Sequence, residues 1–178
     1  MIRPHSLKLV PTNKKALGAF VALLGAILVS MIFYSRAEHY QGVIGLVSVA
    51  AICAAVIVYT KYVSPVYYYD ITDDSEGVWV FVVRQVTGKR VSTLCRISLH
   101  EIVSVTREDK SARAEHKTPF GTRKYVYTPT LLPDVTYRLC TASVHERAEI
   151  VIEAPEEYIN LLNAYIGEAK ENYVEDDE

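Results

Sequence analysis

The apolar and polar positions of this chain fall into two regimes with different periods. From Ala16 to Tyr34 runs ALGAFVALLGAILVSMIFY, 19 residues without a charge. After the short polar stretch Ser35 to Gln41 comes VIGLVSVAAICAAVIVY, Val43 to Tyr59, 17 residues and again uncharged. A helix rising ~1.5 Å per residue needs roughly 20 apolar residues to cross ~30 Å of hydrocarbon. Both runs reach that length once Gly42, Thr60 and Tyr62 are included. The pattern predicts a transmembrane helical hairpin with spans at about 16–34 and 42–62. A cleaved signal peptide is the rival reading of the first run. Its length exceeds the ~7–15 residues of such a core, and a second apolar run follows at once.

After Pro65 the period drops from helical to alternating. Seven strands are predicted: Val66 to Thr72, Val78 to Val86, Arg90 to Ile97, Glu101 to Glu108, Arg123 to Thr128, Thr136 to Ser143 and Arg147 to Ala154. Val91, Thr93, Cys95 and Ile97 are expected on one side of the third. Asp109 to Thr122 is charged, holds Pro119 and Gly121, and is expected to be a long mobile loop. A helix closes the domain over 155–171. Pro155 suits its first turn, and Glu156 and Glu157 suit the positive end of its dipole. Tyr158, Leu161, Leu162, Tyr165 and Ile166 form one apolar stripe, and Gly167 is the expected stop. The segment 172–178 is expected to be an acidic, disordered tail. Residues 1–13 carry Pro4 and Pro11 and are expected to be irregular.

The fold class expected is therefore a membrane α-hairpin plus a mainly β domain (66–171). Seven antiparallel strands and a closing amphipathic helix resemble the pleckstrin-homology-like barrel, in which the helix plugs one end of a bent sheet. A two-span hairpin leading straight into such a domain resembles the bacterial membrane-anchored PH-like proteins. The residues that carry the resemblance are Tyr69-Asp70-Ile71-Thr72, the segment from Ile97 to Val105 (ISLHEIVSV), and the C-terminal EYINLLNAYI. Eukaryotic relatives often bind phosphoinositides through basic residues in the first strand loops. Here that loop is Asp73-Asp74-Ser75-Glu76, and only Lys89 and Arg90 are basic in the next turn.

Charge sets the expected orientation. Residues 1–15 hold Arg3, Lys8, Lys14 and Lys15 and no acid, Lys61 follows the second run, and the loop between the runs has only Arg36 against Glu38. Positive residues stay on the cytoplasmic side. The expectation is a multi-pass protein of the plasma membrane with both termini, including the 1–15 tail, in the cytoplasm. From Ser64 onward the chain carries 13 Lys and Arg against 20 Asp and Glu, which excludes a general nucleic-acid binder. Cys53, Cys95 and Cys140 show no metal-type spacing and read as reduced thiols.

Motifs for catalysis are missing. His100-Glu101 and His145-Glu146 each lack the second His of the HExxH pattern, and there is no Walker loop, GxGxxG or GxSxG. No enzyme activity, metal or cofactor is expected. Two sets of residues stand out. Gly18, Ala22, Ala26 and Ser30 recur every fourth position, a face on which helices approach closely. Packing within the hairpin is the plainer reading of that face, and a homodimer the sharper one. Lys110, Arg113, Lys117, Phe120, Arg123 and Lys124 make the 109–124 segment a basic loop suited to an anionic bilayer surface. The function expected is a non-enzymatic, membrane-tethered scaffold that recruits or regulates a partner protein. The alternatives are an accessory subunit recognised through its spans, and anionic-lipid sensing through 109–124.

Overall fold

The computed structural model describes residues 5–9, 14–36, 40–74, 77–142 and 147–175. Arg3, the pair His145-Glu146 and the end of the acidic tail lie outside them. Helices α1 (Lys14–Tyr34) and α2 (Gln41–Val58) form the hairpin, and a π turn carries α2 on to Val63. Each is long and apolar enough to cross a membrane. Only 6% of the residues in each stretch are buried within the chain, so the rest of their apolar surface is left for other surroundings.

The hairpin does not meet through the small residues expected. Gly18, Ala22 and Ala26 are exposed, and a Cβ added at Gly18 would touch nothing within 4 Å. Buried Ala16 and half-buried Phe20, Leu23, Ile27 and Ser30 make the α1 contact stripe instead. Opposite them lie Ile44, Ser48, Ala51 and Ala55 of α2. The Ser30 and Ser48 hydroxyls are 2.8 Å apart, and either can donate. Each hydroxyl also lies within hydrogen-bond distance of a carbonyl of its own helix, Ile27 at 2.8 Å and Ile44 at 2.7 Å. Of the expected face, Ser30 alone belongs to the interface.

The first sheet holds β1 (His5–Leu9), β2 (Val66–Asp73), β3 (Trp79–Thr87) and β4 (Arg90–Ser98), antiparallel in that order. β1 corrects the expectation of an irregular N-terminal stretch. HSLKL pairs with β2 from His5↔Ile71 to Leu9↔Tyr67, so the strands on either side of the hairpin hydrogen-bond to each other. β3 and β4 turn through Gly88, whose φ of 61° is the left-handed conformation a tight hairpin asks of glycine. Further along, the pairing slips: Val83 faces Cys95 but Arg84 faces Thr93. The bulge at Leu94 splits the expected alternation. Cys95 and Ile97 turn inward, while Val91 and Thr93 are exposed.

The second sheet holds β5 (Ile102–Asp109), β6 (Arg123–Tyr127), β7 (Val135–Ala142) and β8 (Arg147–Ile152), in the order β5-β7-β8-β6. The predicted β7–β8 hairpin is present. The fold is two four-stranded sheets rather than a closed seven-stranded antiparallel barrel, and β6 runs parallel to β8. The reason lies in residues 110–122. They hold helix α3 (Lys110–Glu115) and carry the chain back across the sheet. Such a crossover is what a parallel pairing requires. The segment read as a mobile loop is a structural connection.

Between the sheets sits the core: Tyr67, Tyr69, Ile71, Phe81 and Val83 from the first, Leu139, Ile150 and Ile152 from the second. Helix α4 (Glu156–Glu175) closes it with Tyr158, Ile159, Leu162, Tyr165 and Ile166. It continues past Gly167, so that glycine is no stop. A helix-interior glycine costs only ~1 kcal/mol, which a buried stripe this long offsets. His100 stacks on Tyr173 near the helix end, with ring centroids 4.3 Å apart.

Tyr69 ties the layers together. Its hydroxyl donates to the Tyr127 carbonyl at 2.5 Å and accepts from the Glu153 N–H at 3.4 Å. Its own carbonyl accepts from the Tyr158 hydroxyl at 3.0 Å. The Tyr127 hydroxyl donates to the carbonyl of bulged Leu94 at 3.1 Å. Burial pushes Tyr69 and Tyr158 above the ordinary phenol range, Tyr127 up to about 12 and the Cys95 thiol up to about 11. The folded chain therefore keeps protons that the unfolded chain releases, starting at the ordinary thiol value of 9.0. Stability is full below that pH and falls as pH rises toward 12. An alkaline titration followed by tyrosinate absorbance and circular dichroism should show the last tyrosines ionising together with unfolding. Ionisation of every tyrosine near pH 10 with the fold intact would refute this.

Candidate functional site

Two places gather polar side chains, and both involve the crossover. The first is the outer face of the second sheet beneath residues 113–118. Glu108 on β5, Arg138 on β7 and Glu149 on β8 point away from the core, yet the two glutamates are buried and Arg138 half-buried because the crossover lies over them. The Arg138 guanidinium pairs with Glu108, and its Nη1 lies 3.7 Å from Glu149 Oε1. His116 Nε2 meets the Glu149 carboxylate at 3.0 and 3.1 Å, and the Thr118 hydroxyl donates to it at 3.1 Å. Arg138 Nη1 is 2.5 Å from His116 Nδ1. Arg138 Nη1 also contacts His116 Nε2, so the guanidinium lies against both ring nitrogens. Arg113 reaches inward as well, donating to the Pro133 carbonyl at 3.2 Å and the Thr136 hydroxyl at 2.8 Å. Glu108 Oε2, Arg113 Nε and Arg138 Nε are buried without a hydrogen-bond partner, but the cluster's other contacts join the crossover to three strands and work as a clamp on it.

The second place is the rim where the hairpin joins the domain. Lys14 and Lys15 open α1, and Tyr62 closes the π turn after α2. Between them comes the turn that joins β6 to β7. Asp134 in that turn accepts from Lys110 at 2.7 Å and lies 3.6 Å from Lys15. The Lys110 ammonium holds the Asp134 carboxyl below the usual carboxylate range, with Lys15 adding to it. Glu153 accepts from both the N–H of Thr130 (3.1 Å) and its hydroxyl (2.7 Å). A cleft of about 610 Å³ lies between Leu9, Lys14, Lys15, Asp134, Glu153 and their neighbours. A groove of about 200 Å³ links Tyr62 to Leu131, Leu132, Val126 and Lys124.

The six residues of the expected basic loop are not brought to one surface. Lys110 is at the rim, and Arg113 and Lys124 both line the groove, Arg113 with its guanidinium held by Pro133 and Thr136. Arg123 pairs with Ala148, the end of β6 away from Tyr127 and Thr128. Five strand residues at ~3.3 Å each put about 13–16 Å between those ends. Lys117 and Phe120 lie in the segment that leads to the far end, and Phe120 is fully exposed. Sequence reasoning missed the rim because its members come from five separate stretches. The signal available was Leu131-Leu132 between two prolines, an apolar pair inside a turn.

The strand tyrosines do not make an exposed aromatic face. Tyr67, Tyr69 and Tyr137 are buried, Tyr125 and Tyr127 pack on the core, and only Tyr68 takes the outer side, under the Arg84 guanidinium at 5.9 Å. Arg84 in turn donates to buried Asp70 at 2.5 Å. Among the described residues, no three His, Cys, Asp or Glu side chains are placed to hold a metal ion. Comparison with family models, curated proteins and solved structures finds no match for this chain.

Proposed function

We propose that this chain is a non-enzymatic, membrane-tethered binding module. Its hairpin crosses the plasma membrane, both termini lie in the cytoplasm, and the two-sheet domain recruits or regulates a partner protein at the inner face. The observation that carries this reading is the double tie. β1 precedes the hairpin and β2 follows it, and the two are paired in one sheet. A domain fastened at both helix ends is held close to the bilayer and cannot swing on a single linker. Tethering of this kind raises the effective concentration of a binding surface at the membrane. The outer face of the first sheet, with Tyr68, Arg84 and exposed Val91, is the free surface opposite the core.

One observation favours a second reading, an accessory subunit recognised through its helices. The stripe Gly18, Ala22 and Ala26 faces away from α2 and is open to another helix. Site-specific photo-crosslinking in intact cells separates the two. Crosslinkers at positions 68 and 91 should capture a protein partner in the first reading, and crosslinkers at positions 22 and 47 in the second. Partners captured only from the helices would overturn the first.

A further inference from the structure

The turn between β6 and β7 displays an apolar side chain where the chain meets the helix ends. Leu132 is 67% exposed and has a φ of 85°. It is the only non-glycine residue with positive φ among the described residues. A bulky side chain rarely adopts that conformation, and the surrounding bonds must impose it. They do so from both sides. Glu153 holds Thr130 through two hydrogen bonds. On the other side Arg113 holds the Pro133 carbonyl, and Lys110 holds Asp134. An ordinary surface turn would gain nothing from a leucine pinned outward in this way.

Position identifies what the leucine meets. Leu131 and Leu132 share their groove with Tyr62, in the last turn of the α2 stretch. Asp134, two residues on, lies 3.6 Å from Lys15 at the start of α1. Both ends of the hairpin therefore flank this turn, with Lys14, Lys15 and Lys110 around it. An apolar tip with three lysines beside it, two of them paired with Asp134, and lying next to an interfacial tyrosine has the chemistry of the bilayer's headgroup layer.

We infer that the Leu131-Leu132 turn inserts into the interfacial layer of the bilayer, as a third membrane contact that fixes the orientation of the domain. The inference rests on the membrane-spanning reading of the hairpin. It differs from the basic-loop expectation, because the inserted residues belong to the β6–β7 turn, and Phe120 stays in water.

The test uses the full chain reconstituted in vesicles of phosphatidylcholine and phosphatidylglycerol. An environment-sensitive fluorophore is attached to Cys53 in a Cys95→Ser, Cys140→Ser background, and to L132C, L131C or F120C in a background that also carries Cys53→Ser. Some lipids carry nitroxide quenchers, either shallow or deep. The label at 132 or 131 should shift to the blue and lose intensity to shallow quenchers, the label at 120 should do neither, and the label at 53 should be quenched by deep ones. If positions 131 and 132 behave like 120 while 53 is quenched, the turn is not inserted and this inference alone fails. If 53 is not quenched, the spanning reading fails and the inference fails with it.

Discussion

Replacing Arg138 with methionine is expected to destabilise the domain by about 3–5 kcal/mol, the cost of leaving buried charges without their counter-charge. The Arg138 side chain is 13% exposed and its guanidinium lies between Glu108 and Glu149, whose side chains are 2% and 5% exposed. Methionine fills much of the same volume, so the loss measures charge rather than a cavity. The decisive comparison is the triple variant Arg138→Met, Glu108→Gln, Glu149→Gln. Once both carboxylates are neutral, most of the loss should return, because replacing a whole buried ion cluster is often neutral. Denaturant unfolding of the detergent-solubilised chain, followed by Trp79 fluorescence, reads both. A single variant as stable as the parent would mean that water reaches these carboxylates and that the crossover does not seal them.

Tyr69 supplies the second large effect. Tyr69→Ala should cost about 3–5 kcal/mol, the range for removing a large aromatic ring from a core. Tyr69→Phe keeps the ring, and its expected cost is about 1–3 kcal/mol, that of removing the hydroxyl bonded to the Tyr127 carbonyl and the Glu153 N–H. The gap between the two variants separates packing from hydrogen bonding at the point where both sheets and α4 meet. Equal losses would mean that the hydroxyl carries the whole effect.

Much of this architecture was legible because its signals are local. The seven strands after Pro65 alternate and end at turn residues such as Thr87-Gly88-Lys89. The α4 stripe repeats at helical spacing, and its positions are buried except for half-buried Leu161. What escaped depends on partners distant in sequence. HSLKL is too short and too mixed to read as a strand until Tyr67 to Ile71 stand beside it. The crossover is polar and looks like a loop, because its buried contacts are charges on three different strands. Small residues on α1 suggested close packing, but nothing in that stripe could show that Ser48 would draw Ser30 to the other face. The rim was invisible for a related reason, since Lys15, Tyr62, Lys110 and Leu132 share no motif.

β1 also bears on how the molecule is assembled. It leaves the ribosome before either helix, yet its partner is not made until both helices are complete. With the hairpin spanning a bilayer, as proposed, Leu9 would meet Tyr67 only if the chain returned to the side from which it entered. Insertion of a single helix would leave the two strands on opposite sides of the membrane. β2 would then be an open edge, the kind that pairs with other chains. On the proposed membrane-spanning reading, the first sheet would be completed only in a chain whose two helices are both threaded.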